Sequence, residues 1–244
     1  MQRFDDLRRV QEAAFGPGEY VEQESFVRAS EIRTLAGEAA VGPGVSVLDL
    51  CCGIGGPGRF LTRELGCDYL GLDASASAVD IARERAQGLP CRFEVAEIPP
   101  LPPGTFDVVL LLETLLAFRD KEALLEEVCR ALPLGGRFAC TLEEGLPLTQ
   151  PERAQMPAAD TVWLIPLDEL HELLARAGLA VRWQEDWSGS HRATAESLAE
   201  VYAANAAPAE LVTAHRVWGE WLGTGRVRKF ALVAERRSGA PRQA

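Results

Sequence analysis

VLDLCCGIGGPGRF, residues 47–60, decides how this 244-residue chain is read. The run VSVLDL (45–50) has the apolar, β-branched character of a buried strand. PGRFLTRELG (57–66) carries apolar residues three and four apart behind a proline suited to a first helical turn. Between the two, Gly53, Gly55 and Gly58 stand in the spacing G-x-G-x-x-G. Glycines at such a strand-to-helix turn remove side chains and bring a nucleotide against backbone amides at the helix N-terminus. Asp49 then separates the candidate nucleotides. A carboxylate beside the loop repels a pyrophosphate and pairs with an ammonium group, so the loop suits a cationic nucleoside without phosphates.

Outward from this loop, strand-like runs at 45–50, 68–72, 91–95, 106–112, 136–142, 180–186 and 227–236 alternate with helical segments at 57–66, 76–87, 121–132 and 168–178. That order predicts an α/β fold, a parallel sheet with helices on both faces, whose ligands lie outside the carboxyl ends of the strands. Asp73 ends the second strand, where a carboxylate can take both ribose hydroxyls, and AEI (96–98) follows the third, where backbone and Glu97 can read an adenine edge. Residues 1–40 predict two helices ahead of the first strand, and residues 192–222 a helical pair inserted before the last. Both can cover the ligand edge. The expected organisation is one domain over 1–244, with a helical cap (1–40), a cofactor-binding core (45–186), the insertion (192–222) and a disordered tail (237–244). PPLPPG (99–104) is a stiff connecting loop.

A formal charge of −11 argues against a surface that tracks nucleic-acid phosphates. The start MQRFDDLRRVQEAAF has no apolar signal region, and no apolar run approaches membrane-spanning length. Cys51, Cys52, Cys67, Cys91, Cys129 and Cys140 show no C-x-x-C spacing, so free thiols in a reducing cytoplasm, and no metal site, are the expectation.

DLCCGIG (49–55), GLDAS (71–75), TFDVVLLLETL (105–115) and LPLGGRF (132–138) occur in this order. The set resembles the class I S-adenosylmethionine-dependent methyltransferases, more narrowly the small-molecule branch with sarcosine/dimethylglycine, phosphoethanolamine and tocopherol-type enzymes. The resemblance implies a Rossmann-like seven-stranded, mostly parallel sheet with an antiparallel last strand, S-adenosyl-L-methionine as cofactor, and methyl transfer to a small molecule, with nitrogen or oxygen preferred over carbon. It also implies that Asp49, Cys51, Gly53 and Gly55 flank the methionine and ribose. Asp73 and the adjoining Ala74 hold the ribose side, Ala96 and Glu97, preferred over Glu94, meet the adenine, and Leu112 offers its carbonyl to the methionine amine. Tyr20, in FGPGEY (15–20), resembles a lid tyrosine. The chain departs from the pattern at Cys51, where the first glycine of D-x-G-x-G usually stands, and at Ala117, which occupies the histidine position of an E-x-L-x-H-x-x-D-K stretch.

Methyl transfer from a sulfonium needs alignment and, for some acceptors, a base. Glu113, after the fourth strand, and His191, in DWSGSHR (186–192), are the candidate catalytic residues. For His191 the competing expectation is a solvated loop position. Glu143, Glu144 and Asp186 also end strands, so the mouth should attract an amine. His215 reaches the site only if the insertion folds over it. Trp218 and Trp221, three apart, read as packing more than as a cation cage, and Arg226, Arg228 and Lys229 read as a solvated basic run. The alternatives are an NAD-type oxidoreductase, a non-catalytic S-adenosylmethionine-binding protein, and arsenite methylation, for which the cysteines are poorly placed.

Overall fold

Two helices, α1 (Gln2–Phe15) and α2 (Ala29–Glu38), precede the strand β1 (Ser46–Leu50) in the computed structural model, which describes residues 2–238. From β1 the chain passes through α3 (Gly56–Leu65), β2 (Asp68–Asp73), α4 (Ala76–Arg85) and β3 (Cys91–Val95). It then returns to the other side of β1 as β4 (Val108–Leu111), α5 (Lys121–Ala131) and β5 (Arg137–Glu144). A short helix α6 (Gln150–Gln155), α7 (Leu167–Arg176), β6 (Leu179–Asp186), the pair α8 (Ser188–Ala204) and α9 (Ala209–Thr224), and β7 (Arg228–Arg236) complete it.

The sheet has seven strands in the order β3-β2-β1-β4-β5-β7-β6. Strands β1 to β5 pair in parallel, and β7 runs antiparallel between β5 and β6. This is the sheet expected from the sequence. Its order reverses at β1 and β4, which is where an open α/β sheet forms its ligand crevice.

Two-residue periodicity dresses both faces. Leu48 and Leu50 of β1 enter one apolar layer with Leu70, Leu72, Val109 and Leu111, and Val47 enters the other with Tyr69, Val108 and Leu110. Asp49 falls on the face of Val47, where an apolar residue would be the default. Helix α3 lies so close to β2 that a Cβ on Gly58 would stand 2.3 Å from the Tyr69 ring. The third glycine of the loop therefore serves helix-to-strand packing.

Three features differ from the sequence expectation. Strand β4 ends at Leu111, because the chain turns at Glu113 with φ of +63°. The inserted helical pair begins at Ser188 rather than 192, so His191 lies in a helix. The chain between β5 and α7, read as having no element, forms α6 and a 3-10 turn that bury Met156, Val162 and Leu164 against Trp221, Leu222 and Val227. Such short pieces have too few turns to show a period. Of the expected tail, residues 239–244 lie outside the described residues.

Candidate active site

A cavity of about 220 Å³ lies at the carboxyl ends of β1, β2 and β4, against Asp49, Cys51, Gly53, Asp73, Leu112 and Glu113. The segment Glu22–Ser25 supplies its other wall. Gln23 fastens that segment: it is 3% exposed, its amide donates to the Val27 carbonyl at 2.6 Å, and its Oε1 accepts from the Val21 amide at 2.6 Å. The segment rests directly on the start of α3, where a Cβ on Gly56 would stand 2.2 Å from the Val21 carbonyl oxygen.

Asp49 is 2% exposed and accepts a hydrogen bond from the Tyr69 hydroxyl. Burial pushes its carboxyl up to about 7, against the lowering effect of that bond. Among the described residues Asp49 thus has a donor for one oxygen and no cation. Cys51 takes φ of +59°, a left-handed conformation that costs an L residue and that glycine adopts freely, which accounts for the glycine usual there. Burial pushes its thiol up to about 11, so it is no nucleophile. The Gly53 amide donates to Asp73 Oδ2 at 2.8 Å and the Ser75 amide to Oδ1 at 2.8 Å, which fixes the carboxylate at the strand end.

Of the other sequence-predicted residues, Leu112 lines the cavity beside Glu113. Gly55 faces away from it, packed where a Cβ would stand 2.6 Å from the Phe93 ring. Ala74 and Glu97 are exposed beyond Asp73, and the Ala96 amide donates to the Asp73 carbonyl at 3.0 Å. Tyr20 is not brought to this cavity. Its ring packs on Phe15, its hydroxyl donates to Gln11 Oε1 at 2.7 Å, and it borders a separate arginine-rich depression.

Behind Glu113 the structure assembles a buried charge cluster. The Glu113 amide donates to Thr141 Oγ1 at 2.7 Å, and that hydroxyl donates to Glu113 Oε1 at 2.7 Å. Lys229 Nζ lies 2.6 Å from Glu113 Oε1 and 2.5 Å from Glu143 Oε1, its own strand register placing it opposite Glu143. Lys229 is 1% exposed, which corrects the solvated basic run expected from the sequence; Arg226 and Arg228 of that run pair with Glu152 and Glu144. Burial alone would raise Glu113, but the Lys229 ammonium, His191 and the Thr141 hydroxyl together outweigh it and hold that carboxyl below its ordinary value. For Glu143 burial prevails over Lys229 and the shift is upward. Its Oε2 is buried without a hydrogen-bond partner.

His191 is fully buried rather than in a solvated loop. It stacks on Trp187 at 6.2 Å, with Nε2 3.3 Å from Glu31 and Nδ1 3.7 Å from Glu113. It lines neither cavity, so it braces Glu113 from behind. Asp186 is exposed and accepts from the Ser188 amide, and so stands apart from the acidic mouth expected of it.

A second chamber, of about 480 Å³, adjoins the first and shares Glu24, Ser25 and Glu113 with it. Its walls come from α1, α8, α9 and the stretch 156–162. Here the insertion does fold over the sheet edge, and His215 faces the chamber. The Leu211 carbonyl, 2.6 Å away, can only accept, so His215 Nδ1 carries the proton and Nε2 keeps a lone pair. Burial lowers the basicity of this ring. Trp218 lines the chamber and Trp221 packs beneath it. Among the described residues, no group of three or more His, Cys, Asp or Glu side chains forms a metal site, and no helix is long and apolar enough to cross a membrane.

Residues 47–136 match the family described as "Methyltransferase domain". Over this stretch, less than half of its length, the chain is similar to a methyltransferase domain. It is 33% identical to phosphoethanolamine N-methyltransferase 3 of Arabidopsis thaliana over 147 residues, which are 57% of this chain and 30% of that protein. The methyltransferase fold extends further. Superposition on phosphoethanolamine N-methyltransferase 2 of Haemonchus contortus, solved with phosphomonomethylethanolamine and S-adenosylhomocysteine, gives a TM-score of 0.79 at 18% identity, covering 98% of this chain and 58% of that one. Superposition on the [4+2]-cyclase SpnF gives 0.74 at 20% identity over 98% and 95% of the two chains. The fold by itself thus does not fix the reaction.

Proposed function

We propose that this chain transfers a methyl group from S-adenosyl-L-methionine to a small-molecule acceptor, at nitrogen or oxygen in preference to carbon. The carrying observation is Asp49, a buried acid at the glycine loop that holds one hydrogen-bond donor and lacks a cation. The methionine ammonium supplies that cation, whereas the pyrophosphate of a nicotinamide cofactor would add charge of the same sign. When bound, S-adenosyl-L-methionine supplies a methyl group activated by its sulfonium. Asp49 and the Leu112 carbonyl hold the ammonium, and Asp73, fixed by the Gly53 and Ser75 amides, takes the ribose hydroxyls. Ala74, Ala96 and Glu97 border the adenine side, where the structure encloses less. Glu113 stands where the two cavities meet and orients the groups that react. Glu143 Oε2 and His215 Nε2 are acceptors in the chamber for a proton leaving the substrate.

On this reading residues 1–40 and 188–224 form the cover of a single catalytic domain. Its six free cysteines suit a reducing cytoplasm. Calorimetric titration with S-adenosylhomocysteine, with NADH in parallel, tests the reading. Micromolar binding of the first alone is expected, and binding of NADH alone overturns it. Binding of S-adenosylhomocysteine with no turnover on any amine or hydroxyl acceptor would support a non-catalytic binding protein instead.

A further inference from the structure

The chamber beyond Glu113 has two unlike kinds of lining. Phe15, Phe26, Leu198, Leu211, Val162 and Trp218 are apolar or aromatic. Glu24, Glu113 and Glu143 are acidic, and among the described residues lining the chamber there is no lysine or arginine. Its volume of about 480 Å³ suits a drug-sized ligand more than a two-carbon amine.

Glu143 distinguishes this from a mere cluster of acids. It is 7% exposed, faces the chamber, and its Oε2 has no hydrogen-bond partner. Its other oxygen shares the single ammonium of Lys229 with Glu113. Two carboxylates and one ammonium leave one negative charge uncompensated. His191 lies within ion-pair distance of both Glu31 and Glu113, and counting it together with Glu31 leaves the balance unchanged, because the Glu31 carboxylate offsets its charge if it is protonated. A buried carboxylate with a free oxygen and surplus negative charge is stabilised by taking up a proton or by a cationic donor that brings one. A phosphate group would meet three carboxylates and no basic side chain, so its desolvation would go uncompensated.

We infer that, within the methyltransferase reading on which this rests, the acceptor substrate is an organic amine with an apolar aryl or alkyl body, its ammonium seated on Glu143 Oε2, and that phosphate-bearing amines are excluded. The apolar body lies between α1 and the α8–α9 pair. The ammonium donates to Glu143. Once that proton has passed to Glu143 Oε2, the lone pair of the neutral nitrogen faces the junction at Glu113 and takes the methyl group as the sulfonium carbon–sulfur bond breaks, leaving S-adenosylhomocysteine.

The test titrates the protein, alone and saturated with S-adenosylhomocysteine, with phenethylamine, tryptamine and octylamine. The neutral counterpart 2-phenylethanol and phosphoethanolamine are run beside them. At least one amine is expected to bind, with 2-phenylethanol weaker than phenethylamine by about tenfold or more, the cost of losing a charged hydrogen bond. No binding of phosphoethanolamine is expected. Glu143→Gln should abolish the preference of phenethylamine over the alcohol while keeping S-adenosylhomocysteine affinity, which also shows that the variant folds. Equal binding of amine and alcohol, no binding by any of the three amines, tighter binding of phosphoethanolamine, or a preference that survives Glu143→Gln overturns the inference. If the amines bind and S-adenosylhomocysteine does not, the amine seat stands and the methyltransferase reading falls.

Discussion

The two cavities are built from opposite kinds of sequence. Asp49, Cys51, Cys52, Gly53, Ile54 and Pro57 bring one strand end and one turn to the smaller cavity, within nine consecutive positions. The larger chamber gathers Gln11, Phe26, Glu143, Met156, Leu198 and Trp218, which meet only once the N-terminal helix and the inserted pair have closed over the sheet. Backbone geometry and local hydrogen bonds shape the first, and long-range packing of cover elements shapes the second. A local site stays constant while its surroundings vary, which lets one nucleotide loop serve many acceptors. At the boundary Glu113 of β4's turn and Glu143 of β5 share Lys229 of β7, so one buried cation ties the regions together.

Removing that tie should give the largest effect. Lys229→Met leaves Glu113 and Glu143 buried without a counter-ion, and breaking such a pair from one side costs about 3–5 kcal/mol. Urea unfolding should show this loss, and the triple variant with Glu113→Gln and Glu143→Gln should recover most of it. A loss well under 1 kcal/mol, taking roughly the level of an exposed pair as the benchmark, would mean that the chamber and the loop cavity are held together by packing alone.

How much of each region was legible follows from the same contrast. The parallel sheet and the positions of Asp49, Gly53, Asp73 and Leu112 at one edge follow from a two-residue strand period, a turn and a helical period, all readable within short windows, whereas the antiparallel last strand is implied only by the family resemblance. The burial of Lys229, and of His191 against its solvated-loop alternative, is not legible locally because their neighbours in sequence are polar and charged. Their burial comes from partners far along the chain: Glu143, 86 positions away, faces Lys229 across the β5–β7 pair, and Glu31, on α2, lies beside His191. Tyr20 followed a resemblance of position, and its hydroxyl instead met Gln11, whose amide donates to the Tyr202 hydroxyl of α8 at 3.0 Å. Nothing local to FGPGEY carries that information.

A smaller effect probes the loop cavity alone through pH. The Asp49 carboxyl lies at about 7 in the folded protein, above its ordinary value, so in the empty protein its proton is stabilising. That contribution is full below the ordinary carboxylate range and is lost as pH rises to about 7. Ligand binding runs the other way, because an ammonium pairs only with the ionised form. The affinity for S-adenosylhomocysteine should therefore be about tenfold weaker at pH 6 than at pH 8, with the Asp49→Asn variant nearly flat. Affinity independent of pH in the native protein would remove Asp49 from contact with the ammonium.

The smallest expected effect separates backbone strain from ligand contact at one position. Cys51 holds a left-handed conformation that costs an L residue about 1–2 kcal/mol, while glycine placed there relieves that strain and loses part of the gain to the greater freedom of the unfolded chain. Cys51→Gly should accordingly raise stability by about 0.5 kcal/mol, read as a small upward shift of the urea midpoint. Affinity for S-adenosylhomocysteine should be unchanged, because the loop's contribution is its backbone path and the thiol is held neutral by burial. A stability gain with a several-fold loss of affinity would instead assign the sulfur to the cofactor surface. The departure from glycine would then be an adaptation of this chain's loop rather than a tolerated strain, and even the most local part of the site would depend on a side chain that the glycine spacing does not reveal.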